Sequence, residues 1–578
     1  MTAVEKGDTD LASRNLNDLL DTARQLGVQR FPLYARAAAS YAREASQLGK
    51  PELAKWSIAA AEKLDPRSAD VQFTAAELAL EKSDPAGTAR HLARGIAYAV
   101  GNYTSRTLVF ANLLVVFWVA IGISAIVFAI ALFARYSRVA AHDLRERLSE
   151  RFGAGTTTVL AFAVLFLPLF LWLGPIWLIL YWFVVFFAYA TVREKAAIAT
   201  MLVALALIPV GLDWTSYLIA GADSPIVRGA ADSIERSYDP EVIARLRDLA
   251  QAVPDNGRLQ LLLGNLEFLQ GNDSAALLRL NQAAQLDQKL AGAHLNIGNI
   301  HFLNSDIPAA VNEYKIAEQT QPDLAIAYYN HSVASGELYH FDEQGQQVEL
   351  ARKYGGSMIE RLLANRPQQK IVRYDLPMSA AWSLDNQISG SGRGRETFGS
   401  YAAFSPLPGL LNALSIGALL SIALAFGLAS LRKRNGLAGI CIKCGRTFCH
   451  RCKSSRESAT YCTQCIHIYL KRDGVAVATK RNKVTEVQQY QSRVLRVKKL
   501  LATFLPGTAQ IVDGSTLKGL IALIAFLAFV AAAILIGDLA PVGAPSTLMK
   551  NIVRVVTIVL AIATWIAVSV PVYKQKIV

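Results

Sequence analysis

The apolar residues of this 578-residue chain are gathered into blocks near 107–134, 156–212, 407–431 and 517–573, with segments of ordinary soluble composition between them. No other feature constrains the fold as strongly. A bilayer core about 30 Å thick needs roughly 20 apolar helical residues, because each main-chain amide there must be satisfied within its own segment. Thr107–Ala134 and Leu407–Leu431 each meet that length. Val159–Val192 is too long for one untilted span and is interrupted by Pro168 and Gly174-Pro175. A tight hairpin of two spans, 157–173 and 175–192, is therefore expected. Ala196–Leu212, Gly519–Gly537 and Val555–Tyr573 bring the expected total to about seven. The expected class is an all-α membrane protein.

Charge sets an expected orientation. Net charge is +14, and 17 Lys/Arg against three acids between Arg432 and Lys499 account for all of it. Basic residues also flank the spans: Arg135, Arg138, Arg145, Arg147 and Arg151, then Arg193 and Lys195, Arg432-Lys433-Arg434, and Lys574 and Lys576. With seven spans and an outer N-terminus these clusters share one face, which the positive-inside rule makes cytoplasmic. Residues 1–106 and 213–405 then lie outside and the cysteines inside; if the hairpin is one element, residues 1–106 move to the cytoplasm. Met1–Asp10 is polar, so no cleavable signal peptide is expected.

The segments between the spans repeat. Leu263-Gly264 recurs 34 positions later as Ile297-Gly298, Ala276 as Ala310, Leu280 as Tyr314 and Ala283 as Ala317, and Pro322 closes the unit. These positions resemble the tetratricopeptide repeat (TPR), in which small residues let two antiparallel helices approach and larger apolar residues fill the seam. A third copy near 325–358 keeps Ala351 but has His331-Ser332 for the Leu-Gly pair and Gln344 for the first alanine, which makes it degenerate or a cap. Tyr41, Ala54, Ile58, Ala61 and Leu64-Asp65-Pro66 fit the same register, and residues 69–100 read as a poorer copy. The resemblance implies stacked helical hairpins whose concave groove engages a protein or peptide; the plainer alternative is a small helical cap without a ligand. His294 and His301 lack a third ligand, so packing is expected of them rather than metal binding. Residues 365–369 and 389–395 read as linker.

All six cysteines fall in one run, Cys441-x2-Cys444-x4-Cys449-x2-Cys452-x9-Cys462-x2-Cys465. A two-residue gap lets both thiolates reach one Zn²⁺ at about 2.3 Å, and two such knuckles complete a tetrahedron. The run from Cys441 to Cys452 resembles B-box and FYVE-type zinc modules, in which alternate pairs share a metal. Carried over by position, the resemblance implies that Cys441, Cys444, Cys462 and Cys465 hold one zinc. Cys449 and Cys452 are then one pair short of a second site, for which His450 and His467 are the nearest candidates. The zinc would be structural, since four thiolates leave no position for water. A reducing cytoplasm disfavours disulfides; iron–sulfur binding is the competing metal chemistry.

Residues 471–504 are basic and amphipathic, with Val484, Val487, Val494, Val497 and Leu501 at helical spacing and Tyr490 close by. Such a helix beside a span is expected to rest on anionic lipid headgroups, at about 1 kcal/mol per nearby Lys/Arg, rather than on nucleic acid. Leu505-Pro506-Gly507-Thr508-Ala509-Gln510, followed by Asp513-Gly514 and Lys518-Gly519, resembles the entry of small two-span bacterial membrane proteins. The expected location is therefore a bacterial cytoplasmic (inner) membrane. Phosphate-loop, serine-elbow and His-Glu-x-x-His motifs are missing from the sequence. The expected span interiors carry essentially no ionisable residues, which disfavours a proton or ion path. No catalytic residue is assigned.

The chain thus divides into an N-terminal repeat-like region (1–106), four spans (107–212), a repeat domain (213–364), a linker (365–406), a fifth span (407–431), a zinc module (432–470), a basic segment (471–504) and a two-span C-terminal region (505–578). The expected role is a membrane-anchored assembly scaffold rather than an enzyme. A transmembrane sensor and an accessory subunit of a transporter or secretion complex are the alternatives.

Overall fold

The computed structural model describes residues 8–25, 27–149, 152–365, 370–390, 408–432, 437–449, 460–471, 476–537, 539 and 547–575. The chain forms two compact units: Met1–Ala111, Ser216–Phe398 and Ala540–Met549 make the first, and Asn112–Thr215, Gly399–Leu539 and Lys550–Val578 the second.

The first unit is built of antiparallel helical hairpins. Pro32–Gln47 packs on Pro51–Leu64, Ala69–Glu81 on Pro85–Gly101, Gly257–Leu269 on Asp273–Leu286, Ala291–Leu303 on Ile307–Thr320, and Ala325–Glu337 on Phe341–Gly355. The recurrent small residues are a packing requirement. A Cβ on Gly264 would lie 2.9 Å from Leu280 Cγ, and one on Gly298 2.7 Å from Tyr314 Cε1. Ala276, Leu280 and Ala283 are fully buried, and so are their counterparts Ala310, Tyr314 and Ala317. The third copy also closes into a hairpin, with Ala351 fully buried and the Ser332 hydroxyl donating to Tyr329 O at 2.6 Å.

The turn within each hairpin uses one left-handed residue. Gly49, Ser83, Gly271, Ser305 and Tyr339 have φ of 68°, 56°, 71°, 65° and 62°. Within each array these positions are 34 residues apart, so the backbone repeats where the side chain does not. Asp84, Asn272 and Asp306 each cap the helix that follows, accepting the N–H of Gly87 (2.9 Å), Ala275 (3.3 Å) and Ala309 (3.3 Å). A side chain at positive φ costs about 1 kcal/mol, partly offset by glycine's greater freedom when unfolded. Ser305→Gly is therefore expected to stabilise the unit by about 0.5 kcal/mol, read as a higher denaturant midpoint with an unchanged slope.

The two repeat-bearing segments share one core. Gln29 N donates to Arg236 O at 2.9 Å and Tyr238 N to Arg30 O at 2.8 Å. The Arg30 guanidinium pairs with Asp65 at 2.7 Å and also with Glu235. Phe31, Leu64, Ile226 and Leu246 lie in the same apolar cluster. Pro225–Glu235 and Pro240–Ala252 precede the Gly257–Leu269/Asp273–Leu286 hairpin by about one repeat, with Leu246 fully buried 34 positions before Leu280 and a Cβ on Gly229 2.6 Å from Leu246 Cδ1. Within the stretch read as linker, residues 370–377 belong to no helix or strand and Met378–Ser389 is a helix with Ala381 and Leu384 fully buried. Residues 366–369 and 391–406 of that stretch lie outside the described residues.

Among the described residues, four helices are long and apolar enough to cross a membrane: Tyr103–Leu148, Val192–Ala222, Thr516–Leu535 and Thr547–Tyr573. This corrects the expectation of seven. The proposed hairpin of two spans breaks into Ala154–Leu165, Leu167–Phe170 and Pro175–Phe187, of 12, 4 and 13 residues. Thirteen helical residues rise only about 20 Å, short of a bilayer core. Trp172 and Gly174, at φ 56° and 88°, reverse the chain between them. The helix Pro408–Arg432 has 25 residues, and its described apolar side chains cover Leu414–Ser430. The first long helix has 46 residues, so Arg135, Arg138, Arg145 and Arg147 sit on its continuation rather than in a loop. Arg151, Lys433, Arg434 and Lys576 lie outside the described residues.

In the second unit, Arg135 pairs with the buried Glu194 at 2.9 Å and donates to Val512 O at 2.9 Å. Tyr136 and Thr191 hydroxyls complete the carboxylate at 2.5 and 2.9 Å. The Pro-Gly-x-x-Gln stretch is a close helix approach: a Cβ on Gly507 would lie 2.2 Å from Gly519 O, and Gln510 Nε2 donates to Val568 O at 2.7 Å. One feature departs from an all-helical reading. Gly439–Ile440 pairs antiparallel with Thr447–Phe448 to form a two-stranded hairpin within the cysteine run.

Candidate functional sites: the cysteine cluster and the repeat groove

That hairpin is the first zinc-type knuckle. Cys441 N donates to Arg446 O (2.9 Å) and Gly445 N to Cys441 O (2.8 Å), with Gly445 at φ 71° to close the turn. The second knuckle opens a helical turn, in which Ile466 N donates to Cys462 O at 3.0 Å. Together the two turns bring the Sγ atoms of Cys441, Cys444, Cys462 and Cys465 within 4.8 Å of one another, all four buried and free of disulfide. A tetrahedron of Zn–S bonds near 2.3 Å has edges of about 3.8 Å, and Cys444 Sγ lies 3.7 Å from Cys462 Sγ. The donor set fits a zinc-sized cation. Among the described residues this is the one group with metal-ligand geometry. Cys449 is buried apart from it, beside Val139 and Ala438; Cys452 and His450 lie outside the described residues.

Electrostatics point the same way. Burial raises the Cys462 and Cys465 thiols, and the neighbouring sulfurs add to the effect. Burial opposes ionisation of Cys441 too, but N–H donors at Cys444, Cys462 and Lys443 outweigh it and bring that thiol to about 7. Four adjacent thiols cannot all ionise unless a cation neutralises them.

The basic helix Val477–Phe504 supplies the wall of this site. Val487 is buried among the cysteines, and the Tyr490 ring fills the space at Gly445, where a Cβ would come within 2.1 Å of it. Lys483, buried beside Cys444, donates to Glu486 at 2.9 Å, and Glu486 also accepts from Arg446 at 2.9 Å. The front of the apolar stripe expected to meet lipid thus covers the cluster, while Val497, Leu500 and Phe504 remain exposed. Amphipathicity records that a face is covered, not by what.

The second site went unread in the sequence. Asn265 and Asn299 are 34 residues apart, as are Asn296 and Asn330, and all four are buried on the inner helices of the hairpins. Asn296 accepts the Tyr374 N–H (2.8 Å) and donates to its carbonyl (2.8 Å). Asn330 does the same for Val372, at 2.8 and 2.6 Å. Asn265 adds a second donor to Tyr374 O (2.9 Å) and Asn299 one to Val372 O (3.0 Å). The asparagines are also linked to each other, Asn296 to Asn265 at 2.7 Å and Asn330 to Asn299 at 2.8 Å. The signal was present: asparagine recurs at the repeat period on positions the hairpin seam does not use. His294 and His301 do not converge; each faces its own acid, Glu313 at 2.8 Å and Asp306 at 3.6 Å.

Fold and site together define an all-α helical-repeat protein with a buried four-cysteine cluster. The TPR repeat family model matches residues 264–305. No curated protein matches the chain. Among solved structures, the chain is similar to the crystal structure of MamA, at 16% identity over 33% of this chain and 90% of that one, with a TM-score of 0.20. It is also similar to the crystal structure of yeast Tom70, at 9% identity over 94% and 99% of the two chains, with a TM-score of 0.22.

Proposed function

We propose that this protein is a membrane-anchored, non-catalytic scaffold that gathers protein partners through its repeats. The repeat unit carries the reading, since stacked hairpins present an extended face suited to peptides or protein elements and the asparagine-lined groove is built for polypeptide main chain. The four long apolar helices supply the anchor. In this reading a single zinc held by Cys441, Cys444, Cys462 and Cys465 is structural. It fixes two knuckles that lack a core of their own, and its closed thiolate shell leaves no position for a reacting water.

The bacterial cytoplasmic membrane is the location we assign, with repeats on the periplasmic face and cysteines in the cytoplasm. The Lys/Arg bias supports this, as does the need to keep thiols reduced; the arrangement requires the 25-residue helix Pro408–Arg432 as a fifth crossing, beside the four long apolar helices. Affinity purification of the full chain from gently solubilised native membranes, with mass spectrometry, should recover a fixed set of proteins. Solute flux by the isolated protein in sealed vesicles would overturn the scaffold reading.

A further inference from the structure

The four asparagines of the repeat groove bond to one another between hairpins, and Asn299 Oδ1 also accepts the Tyr314 hydroxyl at 2.9 Å, yet each amide has a further partner outside the hairpins. Their positions differ from the Gly/Ala/Leu seam, and their side-chain amides turn to the inner face, where the main chain of residues 372–374 meets them. Residues i and i+2 of an extended chain present their N–H and C=O groups on the same edge. Asn296 and Asn330 each bind one such residue through both groups, as a neighbouring β-strand would. This contact reads main chain and register, not side-chain identity. An empty groove would leave these four amides to water, so an extended occupant supplies partners that water would otherwise provide.

The occupant's side chains define the rest. Ile371 is buried among Phe302, Ala310, Tyr314 and Ala334. The Tyr374 ring lies over Gly292, where a Cβ would come within 2.1 Å of it. Leu376 enters the main apolar core of the unit. Asp375 accepts from Ser233 Oγ at 2.6 Å and pairs with Arg373 at 2.9 Å.

We propose that this groove is a binding site for an extended peptide segment, that residues 370–377 fill it as an intramolecular ligand, and that the partners of the repeats compete for it. The inference rests on the scaffold reading and names the ligand class: an extended stretch with an apolar residue, an aromatic three positions on and an aliphatic two beyond that, recognised through its main chain. A tethered occupant acts at an effective concentration of roughly millimolar. An outside peptide of micromolar intrinsic affinity therefore binds the closed groove weakly, and binds an emptied groove about 100-fold or more tightly than the closed one.

The test uses the full chain in detergent micelles and a fluorescent synthetic peptide with the sequence of residues 370–377. In the segment, Val372→Pro removes an N–H that Asn330 accepts, and Tyr374→Ala removes the aromatic anchor. The doubly substituted protein should bind the peptide about 100-fold more tightly than the unaltered protein, and adding Asn296→Ala and Asn330→Ala should abolish the gain. Equal binding by the altered and unaltered proteins would sink the proposal. So would binding indifferent to the asparagines, or no binding by a folded variant.

If the variant does not fold, hydrogen exchange on the unaltered protein decides. Millimolar peptide should speed exchange at the Val372 and Tyr374 amides, and unchanged exchange at saturating peptide rejects competition. The readout is peptide binding alone. Failure to recover cellular partners leaves it standing, and its own failure leaves partner capture through other faces of the repeats open.

Discussion

Replacing Cys444 and Cys465 together with serine is expected to take the metal content of the purified protein from one zinc per chain to none and to unfold the segment around residues 437–471. Each knuckle loses one thiolate, and the two left behind cannot complete a tetrahedron. The loss is large because binding and folding are one event in a module this small: zinc supplies about 10–16 kcal/mol to comparable peptides. The described part of the module has only Val487 and the rings of Phe448, Tyr461 and Tyr469 packed on its sulfurs, too little to hold two knuckles without the cation. Elemental analysis checks the first half and limited proteolysis the second, with new cuts expected in the module while the repeat unit stays intact. Retention of a full equivalent of zinc by the double variant would falsify the ligand assignment.

Tyr314→Ala is expected to be the most damaging single substitution in the repeats. The ring is completely buried, lies against Gly298, and its hydroxyl donates to Asn299 Oδ1 at 2.9 Å. Truncation leaves a cavity in the seam and costs about 3–5 kcal/mol. Tyr314→Phe keeps the ring and should cost about 1 kcal/mol, the net worth of one hydrogen bond. Chemical unfolding of the full chain followed by hydrogen exchange in Ala291–Leu303 and Ala325–Glu337 separates the two. If Phe costs as much as Ala, the hydroxyl and not the packing dominates, and the account of the glycine is wrong.

The repeat hairpins were legible because their rules are local. A 34-residue spacing of Gly264 and Gly298 against Leu280 and Tyr314 states directly which helices must touch. The cysteine spacing is local in the same way, since a two-residue gap can hardly avoid bringing its thiols together. The span count was misjudged by reading hydropathy without helix length. The chain does reverse at Trp172 and Gly174, but Pro168 and Gly174-Pro175 cut the run into helices too short to cross. Charge following an apolar run suggests a loop, yet Arg135 finds a buried acid 59 positions away and the helix simply continues.

From sequence alone came what depends on neighbours within about one repeat: where apolar helices fall, which small residues let hairpins close, and which thiols share a knuckle. Tertiary structure alone decided what covers each face. The basic helix turned the front of its stripe, at Val487, to the cysteines, and residues 370–377 entered the groove through hydrogen bonds to residues 42 to 109 positions earlier in the chain. Periodicity registers that a face is buried or that an amide needs a partner. Only folding brings the distant segment that meets the need, because hydrogen bonds to main-chain N–H and C=O groups depend on where a segment lies and not on which residue supplies them.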